Sequence, residues 1–136
     1  LGCPEYPVVL TTGDGCFRMN CHEMATVEHY NLPVIICVFD NRTLGMVRQW
    51  QSLLYDHRYS QPSLENRSPD FVTFAVAFGL KGRRVTQPSE LEEAITEALA
   101  ESAQGRGYVI DCAINADEMV HPMVNGGHHI TEFLLS

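Results

Sequence analysis

The sequence predicts an open, mostly parallel α/β sheet with helices on both faces, short of strands on its N-terminal side. Two observations carry that prediction. The first is a β-α-β unit: the apolar runs Val8-Val9-Leu10 and Val34-Ile35-Ile36-Cys37-Val38-Phe39 flank a segment of helix length. A right-handed crossover makes two such strands parallel and neighbouring. The second is that the alternation continues, with helical periodicity over 71–78 and 91–103 separating extended runs at 80–85 and 108–114. Runs that are apolar throughout, rather than at every second position, belong to strands covered on both faces.

Each element has its own signal. Past Gly13-Asp14-Gly15, the residues Phe17, Cys21, Met24-Ala25 and Glu28 recur at helical spacing until Asn31 and Pro33 close the run. Residues 44–55 are expected to be helical, with Met46-Val47, Trp50 and Leu53-Leu54 on one face. Residues 55–67 are polar, contain Pro62 and read as a loop. Ser68-Pro69-Asp70 predicts a helix start, Ser68 as the cap and Pro69 in the first turn. Phe71, Phe74-Ala75 and Phe78 then form a core-facing stripe that Gly79 stops. Ser89-Glu90-Leu91-Glu92 reads as a capping box for a helix with the stripe Leu91, Ala94-Ile95, Ala98-Leu99 and Ala103. Gly105 and Gly107 end it, a strand follows, and the tail from Asn115, with Pro122 and Gly126-Gly127, is expected to be irregular. With no repeat and no internal boundary, residues 1–136 read as one domain, partial at its N-terminus.

Composition narrows the function classes. A formal net charge of −8 with no basic stripe excludes a nucleic-acid partner. No run reaches the length of a membrane-spanning helix and no charged-apolar-small leader opens the chain, so a cytoplasmic location is expected, away from membranes. Five cysteines, at positions 3, 16, 21, 37 and 112, include no CxxC pair and fit reduced packing rather than a disulfide framework. Cys37 and Cys112 fall inside strand patterns and read as core.

The chemistry concentrates at two strand ends. Asp14 follows the first strand and Asn41 the second, which puts both at the carboxyl edge of the sheet, where open α/β folds bind ligands. A carboxylate and an amide oxygen beside a glycine loop that opens a helix suit a hard divalent cation holding a phosphate. Competing motifs fail on single residues. Arg18 stands at the third glycine of a dinucleotide fingerprint, no Gly-Lys-Ser/Thr makes a Walker A loop, and Thr26 replaces the second histidine after His22-Glu23. His128-His129 read as surface residues of the tail.

Gly13-Asp14-Gly15 followed by Asn41 resembles the thiamine diphosphate motif. The surrounding residues are more specific. Phe17, Met19-Asn20, Glu23-Met24-Ala25-Thr26, Tyr30-Asn31-Leu32-Pro33-Val34 and above all Leu44-Gly45-Met46-Val47-Arg48-Gln49-Trp50-Gln51 resemble the large catalytic subunit of acetolactate synthase (acetohydroxyacid synthase). Tyr55, Arg58-Tyr59-Ser60, Pro69-Asp70-Phe71 and Pro122-Met123-Val124 extend the similarity over nearly the whole chain. The resemblance implies the C-terminal part of a thiamine diphosphate-binding domain, with Mg2+ held by Asp14, Asn41 and the main-chain carbonyl of Thr43. It implies Gly13, Gly15, Cys16, Gly45 and Met46 around the cofactor, and Met19, Met46 and Trp50 along a substrate channel. Only the backbone of Thr43 is expected to be used. Asp40 stands where the family often has Asn, and His121 where it more often has Tyr; neither is assigned a role.

The implied reaction decarboxylates pyruvate and joins the two-carbon unit to a second 2-oxo acid, at the entry to branched-chain amino acids. The implied partners are the remaining domains and a second catalytic subunit; a regulatory subunit and FAD in the whole enzyme are left open, and FAD is not expected to bind this chain. No catalytic residue is assigned here, because the family's activating glutamate lies in another domain, and the isolated chain is expected to be inactive. A sibling thiamine decarboxylase or carboligase, or a non-catalytic assembly fragment, are the alternatives. The chain begins at Leu1 and reads as part of a longer protein. Without cofactor and partner, residues 42–67 are expected to be poorly ordered and Met46, Trp50 and Leu53-Leu54 exposed.

Overall fold

The structure, a computed structural model, describes residues 2, 5–64 and 69–134. Four strands form one sheet: β1 (Val8–Gly13), β2 (Val34–Asp40), β3 (Lys81–Val85) and β4 (Tyr108–Ala113). Their order is β1-β2-β4-β3 and every neighbouring pair is parallel. The register sets Val8 beside Val34 and Gly13 beside Phe39, and then Ile35 beside Tyr108 and Asp40 beside Ala113.

The predicted first crossover is one run in sequence but three pieces in space: α1 (Asp14–Asn20), a 3-10 turn at Cys21–Glu23, and α2 (Met24–His29). Its end is as expected, with Asn31 in the left-handed region at φ 48°. The remaining helices are α3 (Gly45–Leu54), α4 (Phe71–Ala77) and α5 (Leu91–Ser102). The tail is less irregular than predicted, because β5 (Met123–Val124) and β6 (Phe133–Leu134) pair antiparallel.

Strand pleating divides the interior into two cores. On one face Ile36, Val38 and Val109 meet Phe17, Met24, Phe71, Ala75 and Leu80, contributed by α1, α2, α4 and the turn after α4. Phe17 and Phe71 pack edge to face there, their centroids 5.4 Å apart. On the other face Ile35, Ile110, Val85 and Tyr108 meet Ala94 and Ala98 of α5. Cys37 and Cys112 pack against this second core, partly buried, and burial pushes both thiols up.

Three local expectations are corrected. Val8, Val9 and Leu10 are about half exposed rather than buried, since β1 is an edge strand that, among the described residues, pairs with β2 alone. The cap of α4 is Asp70, whose Oδ1 accepts the Thr73 N–H at 2.8 Å, so Pro69 precedes the helix; Ser68 lies outside the described residues. A carboxylate placed one residue before the first helical turn wins the capping position from any hydroxyl further back. The capping carboxylate before α5 is Glu90, not Glu92: it accepts the Thr86 and Gln87 N–H groups at 2.7 and 3.0 Å. The chain therefore turns two residues earlier, through a 3-10 turn at Pro88–Glu90.

Gly107, just before β4, shows how tightly α2 is seated. A Cβ at that position would lie 2.6 Å from Val27 Cγ1 and 2.7 Å from Leu80 Cδ2, inside the contact limit of both. Gly107→Ala should therefore destabilise the fold by about 1–3 kcal/mol, read as a lower urea midpoint.

Candidate functional site

The parallel register brings the two predicted strand ends together. Gly13 leaves β1 in an extended conformation (φ −82°, ψ 158°), and Asp14 is the first residue of α1. Asp40 closes β2 and Asn41 follows it. Arg42 is in the left-handed region at φ 55°, its N–H reaches Asp40 Oδ1 at 3.3 Å, and the Thr43 N–H reaches Asn41 Oδ1 at 3.1 Å. These two side-chain-to-backbone bonds form a turn that holds the Asn41 amide in place. The Gly45 backbone approaches the same amide, and a Cβ there would lie 3.0 Å from Asn41 Nδ2.

A cavity of about 430 Å³ opens at this edge. Gly13, Asp14, Gly15, Cys16, Met19, Asn41, Thr43, Gly45 and Met46 all line it, together with the apolar Phe39, Leu44, Val47 and Ile114. Trp50 does not line it: it sits one helical turn beyond Met46 and is half-buried. One wall is thus polar and built from strand ends, and the other is apolar and built largely from α3. That division suits a ligand with an anionic end and an apolar body.

Asp14 is the electrostatic centre of the wall. It is 2% exposed, and its Oδ2 has no hydrogen-bond partner. Burial pushes its carboxyl above the ordinary carboxylate range, the Gly15 N–H opposes that, and the nearby Asp40 adds to it. A buried carboxylate oxygen without a partner is costly and rare in folded proteins. Among the described residues no three His, Cys, Asp or Glu side chains are placed to hold a metal. The available donors are one carboxylate, one amide oxygen and main-chain carbonyls, the hard oxygen set that Mg2+ takes when phosphate oxygens complete its shell. A Mg2+-bound diphosphate fits these residues.

Thr43 does more than expected of it. Its side chain is buried, Oγ1 donates to the Pro62 carbonyl at 2.9 Å, and the residue pairs with Ser63 in an antiparallel bridge. Leu44 N–H to Pro62 O and Leu64 N–H to Arg42 O, both 2.7 Å, complete a stitched loop. The expectation that any residue serves at 43 is therefore corrected, since a hydroxyl is used. So is the expectation of poor order for residues 42–64, which carry these bonds and α3; Glu65, Asn66 and Arg67 lie outside the described residues.

The orientation of α3 was only half legible. Met46, Leu53 and Leu54 are exposed as expected and Val47 is exposed with them, but Trp50, expected to be exposed, is half-buried, and the buried residues are Gln49 and Ser52. Gln49 acts as a two-way clamp: its Nε2 donates to the Val120 carbonyl at 3.0 Å and its Oε1 accepts the Val120 N–H at 2.9 Å. Arg48 binds Asp117 at 2.7 Å and lies over the Tyr59 ring at 4.0 Å. Together they fasten the tail to the helix. The signal available in sequence was Arg48, Gln49 and Ser52 on one side of an otherwise apolar helix, a pattern ordinarily assigned to solvent. Sequence reasoning also missed Arg84 and Asp111, the latter fully buried in β4.

A strand-end carboxylate and amide beside a cleft with an apolar wall fit a cofactor with an anionic diphosphate end. Residues 1–112 match the family described as thiamine pyrophosphate enzyme, C-terminal TPP binding domain, and the chain belongs to that family. It is 42% identical over 131 residues to a probable acetolactate synthase large subunit of Methanococcus aeolicus, covering 96% of this chain and 21% of that protein. It is 44% identical to the corresponding protein of Methanocaldococcus jannaschii, with the same 96% and 21% coverage. Identity to the acetolactate synthase isozyme 3 large subunit of Escherichia coli (strain K12) is 40% over 136 residues, which is 100% of this chain and 24% of that subunit. The chain thus spans about a fifth to a quarter of the length of these curated relatives. Its fold superposes on a thiamine diphosphate-dependent 4-hydroxybenzoylformate decarboxylase of Rhodococcus jostii RHA1 with a TM-score of 0.72, at 24% identity over 82% of this chain and 20% of that one. Among the described residues no helix is long and apolar enough to cross a membrane.

Asp111 has a measurable consequence. Burial pushes its carboxyl from 3.8 up to about 6, although Arg84 opposes the shift. The folded chain then binds this proton more tightly than the unfolded chain does, so its stability falls as pH rises from about 4 to about 6. Urea midpoints of protein stripped of divalent metal should decline across that window, and Asp111→Asn should flatten the decline.

Proposed function

We propose that this chain is the cofactor-holding C-terminal part of the large catalytic subunit of an acetolactate synthase. The observation that carries the reading is the unpartnered, buried Asp14 Oδ2 beside a cavity that Asn41 also lines. In this reading Asp14, Asn41 and the Thr43 carbonyl hold Mg2+, and the ion anchors the diphosphate of thiamine diphosphate. Gly13, Gly15 and Cys16 form the floor under that diphosphate. Neither Gly13 nor Gly15 is required by packing within the chain, because a Cβ at Gly13 would meet nothing and one at Gly15 only ordinary contacts at 3.4–3.5 Å. A ligand lying against their backbone supplies the requirement.

Gly45 holds the Asn41 amide to the ion, while Met46 and Met19 bound the apolar side where the rest of the cofactor and the 2-oxo acid approach. The bound cofactor supplies the decarboxylation chemistry, and the residues of this chain position it, neutralise its charge and exclude water. The exposed Met46, Val47, Leu53 and Leu54 are apolar surface suited to the remaining domains and a second catalytic subunit. Residues 1–136 contribute to one domain of the whole enzyme. The run at residues 44–51 and the 40–44% identity to acetolactate synthase large subunits favour the synthase over sibling decarboxylases.

Asp14→Ala should abolish Mg2+-dependent thiamine diphosphate binding in calorimetry. Its urea midpoint without metal should be unchanged or higher, because the substitution removes a buried, unpaired carboxylate. Equal affinity in the variant would overturn the site. The full-length protein carrying these residues should form acetolactate rather than acetaldehyde from pyruvate, while the 136-residue chain alone should form neither. Acetaldehyde as the main product would move the protein to the decarboxylases.

A further inference from the structure

Behind the cavity a row of charged side chains runs across the carboxyl edge of the sheet. Arg84 of β3 is the register partner of Asp111 in β4, and Asp111 is the partner of Val38 in β2. Asp40 lies two residues beyond Val38 and so projects to the same face. Asp14 ends the row at the start of α1. Asp111, Asp40 and Asp14 are 0%, 3% and 2% exposed. Three carboxylates removed from water in one cluster repel one another strongly unless a cation stands among them.

Arg84 is that cation on the core side. Its Nη1 lies 2.5 Å from Asp111 Oδ2 and its Nη2 3.4 Å from Asp40 Oδ2. A planar guanidinium can span two carboxylates in this way, whereas an ammonium is a point charge. Arg42 reaches Asp40 Oδ2 only at 3.8 Å, with half its side chain in solvent. Arg18 acts on the Asp14 side of the row. Oδ1 accepts the Arg42 N–H and Oδ2 faces Arg84, so both oxygens of Asp40 have partners, while its charge still acts on Asp14.

We propose that Arg84 is a positioning residue for the metal site: by bridging Asp111 to Asp40 it neutralises the carboxylate next to Asp14 and leaves Asp14 to face a metal-bound diphosphate. This rests on the thiamine diphosphate reading above. Without Arg84, the uncompensated negative charge of Asp40 beside Asp14 repels the diphosphate. The effect requires the charge of Asp40, so it vanishes when that charge is removed. A purely structural arginine has no such dependence.

The test uses the full-length protein that carries these residues, with thiamine diphosphate affinity measured by calorimetry at fixed Mg2+ and thermal midpoints recorded in parallel. Arg84→Met should weaken binding about tenfold or more, the range of coupling between groups in direct contact. Adding Asp40→Asn to that variant should restore affinity to within about threefold of the parent. The thermal midpoint should stay low in the double variant, since Asp111 remains unpaired. If Arg84→Met does not fold, Arg84→Lys, alone and with Asp40→Asn, carries the same comparison. Affinity that stays low in the double variant, or a single variant that binds like the parent, overturns the role of Arg84. Failure of the parent itself to bind thiamine diphosphate with Mg2+ overturns the functional reading and this inference with it.

Discussion

The parallel pairing of β1 with β2 is the constraint on which the rest depends. Gly13 lies beside Phe39, so the next residue of each strand, Asp14 and Asp40, emerges at the same level, with Asn41 one step further. Side chains alternate along a strand, and a slip of one residue would turn every side chain of β2 to the opposite face and shift Asn41 relative to Asp14. Register here is pinned by the two cores, because Ile35 and Ile36 each belong to a different one. Packing on both faces therefore fixes the position of the polar edge.

That edge runs against stability. Burying Asp14, Asp40 and Asp111 within one cluster is unfavourable, and two of the three keep a buried oxygen without a partner. A fold selected for stability alone would place apolar residues there. The cost is borne by interactions elsewhere. Arg84 offsets part of the charge, the stitched loop from Arg42 to Leu64 fixes the turn, and Gln49 ties the tail down over α3. Strain against a local rule, compensated nearby, is the pattern expected where structure serves a ligand.

Much of this was readable from residue order, and the failures have common causes. Strands with uniform apolar runs and helices with clear stripes announced themselves, as did Asp14 and Asn41 at strand ends. Misplaced caps at Ser68 and Ser89 came from choosing a hydroxyl where a better-placed carboxylate, Asp70 or Glu90, was available. The half-exposed β1 was hidden because an apolar run records what a strand is suited to, not what covers it. For α3, periodicity located the helix and its apolar face but gave no role to Gln49, and the tail from Asp117 to Met123 explains why Gln49 is inside. Trp50 was placed along a substrate channel by the family resemblance, and it lies one helical turn beyond the residues that line this cavity.

By itself the sequence determined the class of fold and placed a carboxylate and an amide, both oxygen donors, at two neighbouring strand ends. These follow from periodicity and residue type, which are local and add along the chain. Tertiary structure alone decided that Thr43 needs its hydroxyl, that Gln49 faces inward, and that Arg84 reaches across a strand to a carboxylate 44 residues away in sequence. Such contacts join distant segments through strand order and burial. Their energies depend on which charges share a low-dielectric interior, and nothing in a linear order states that.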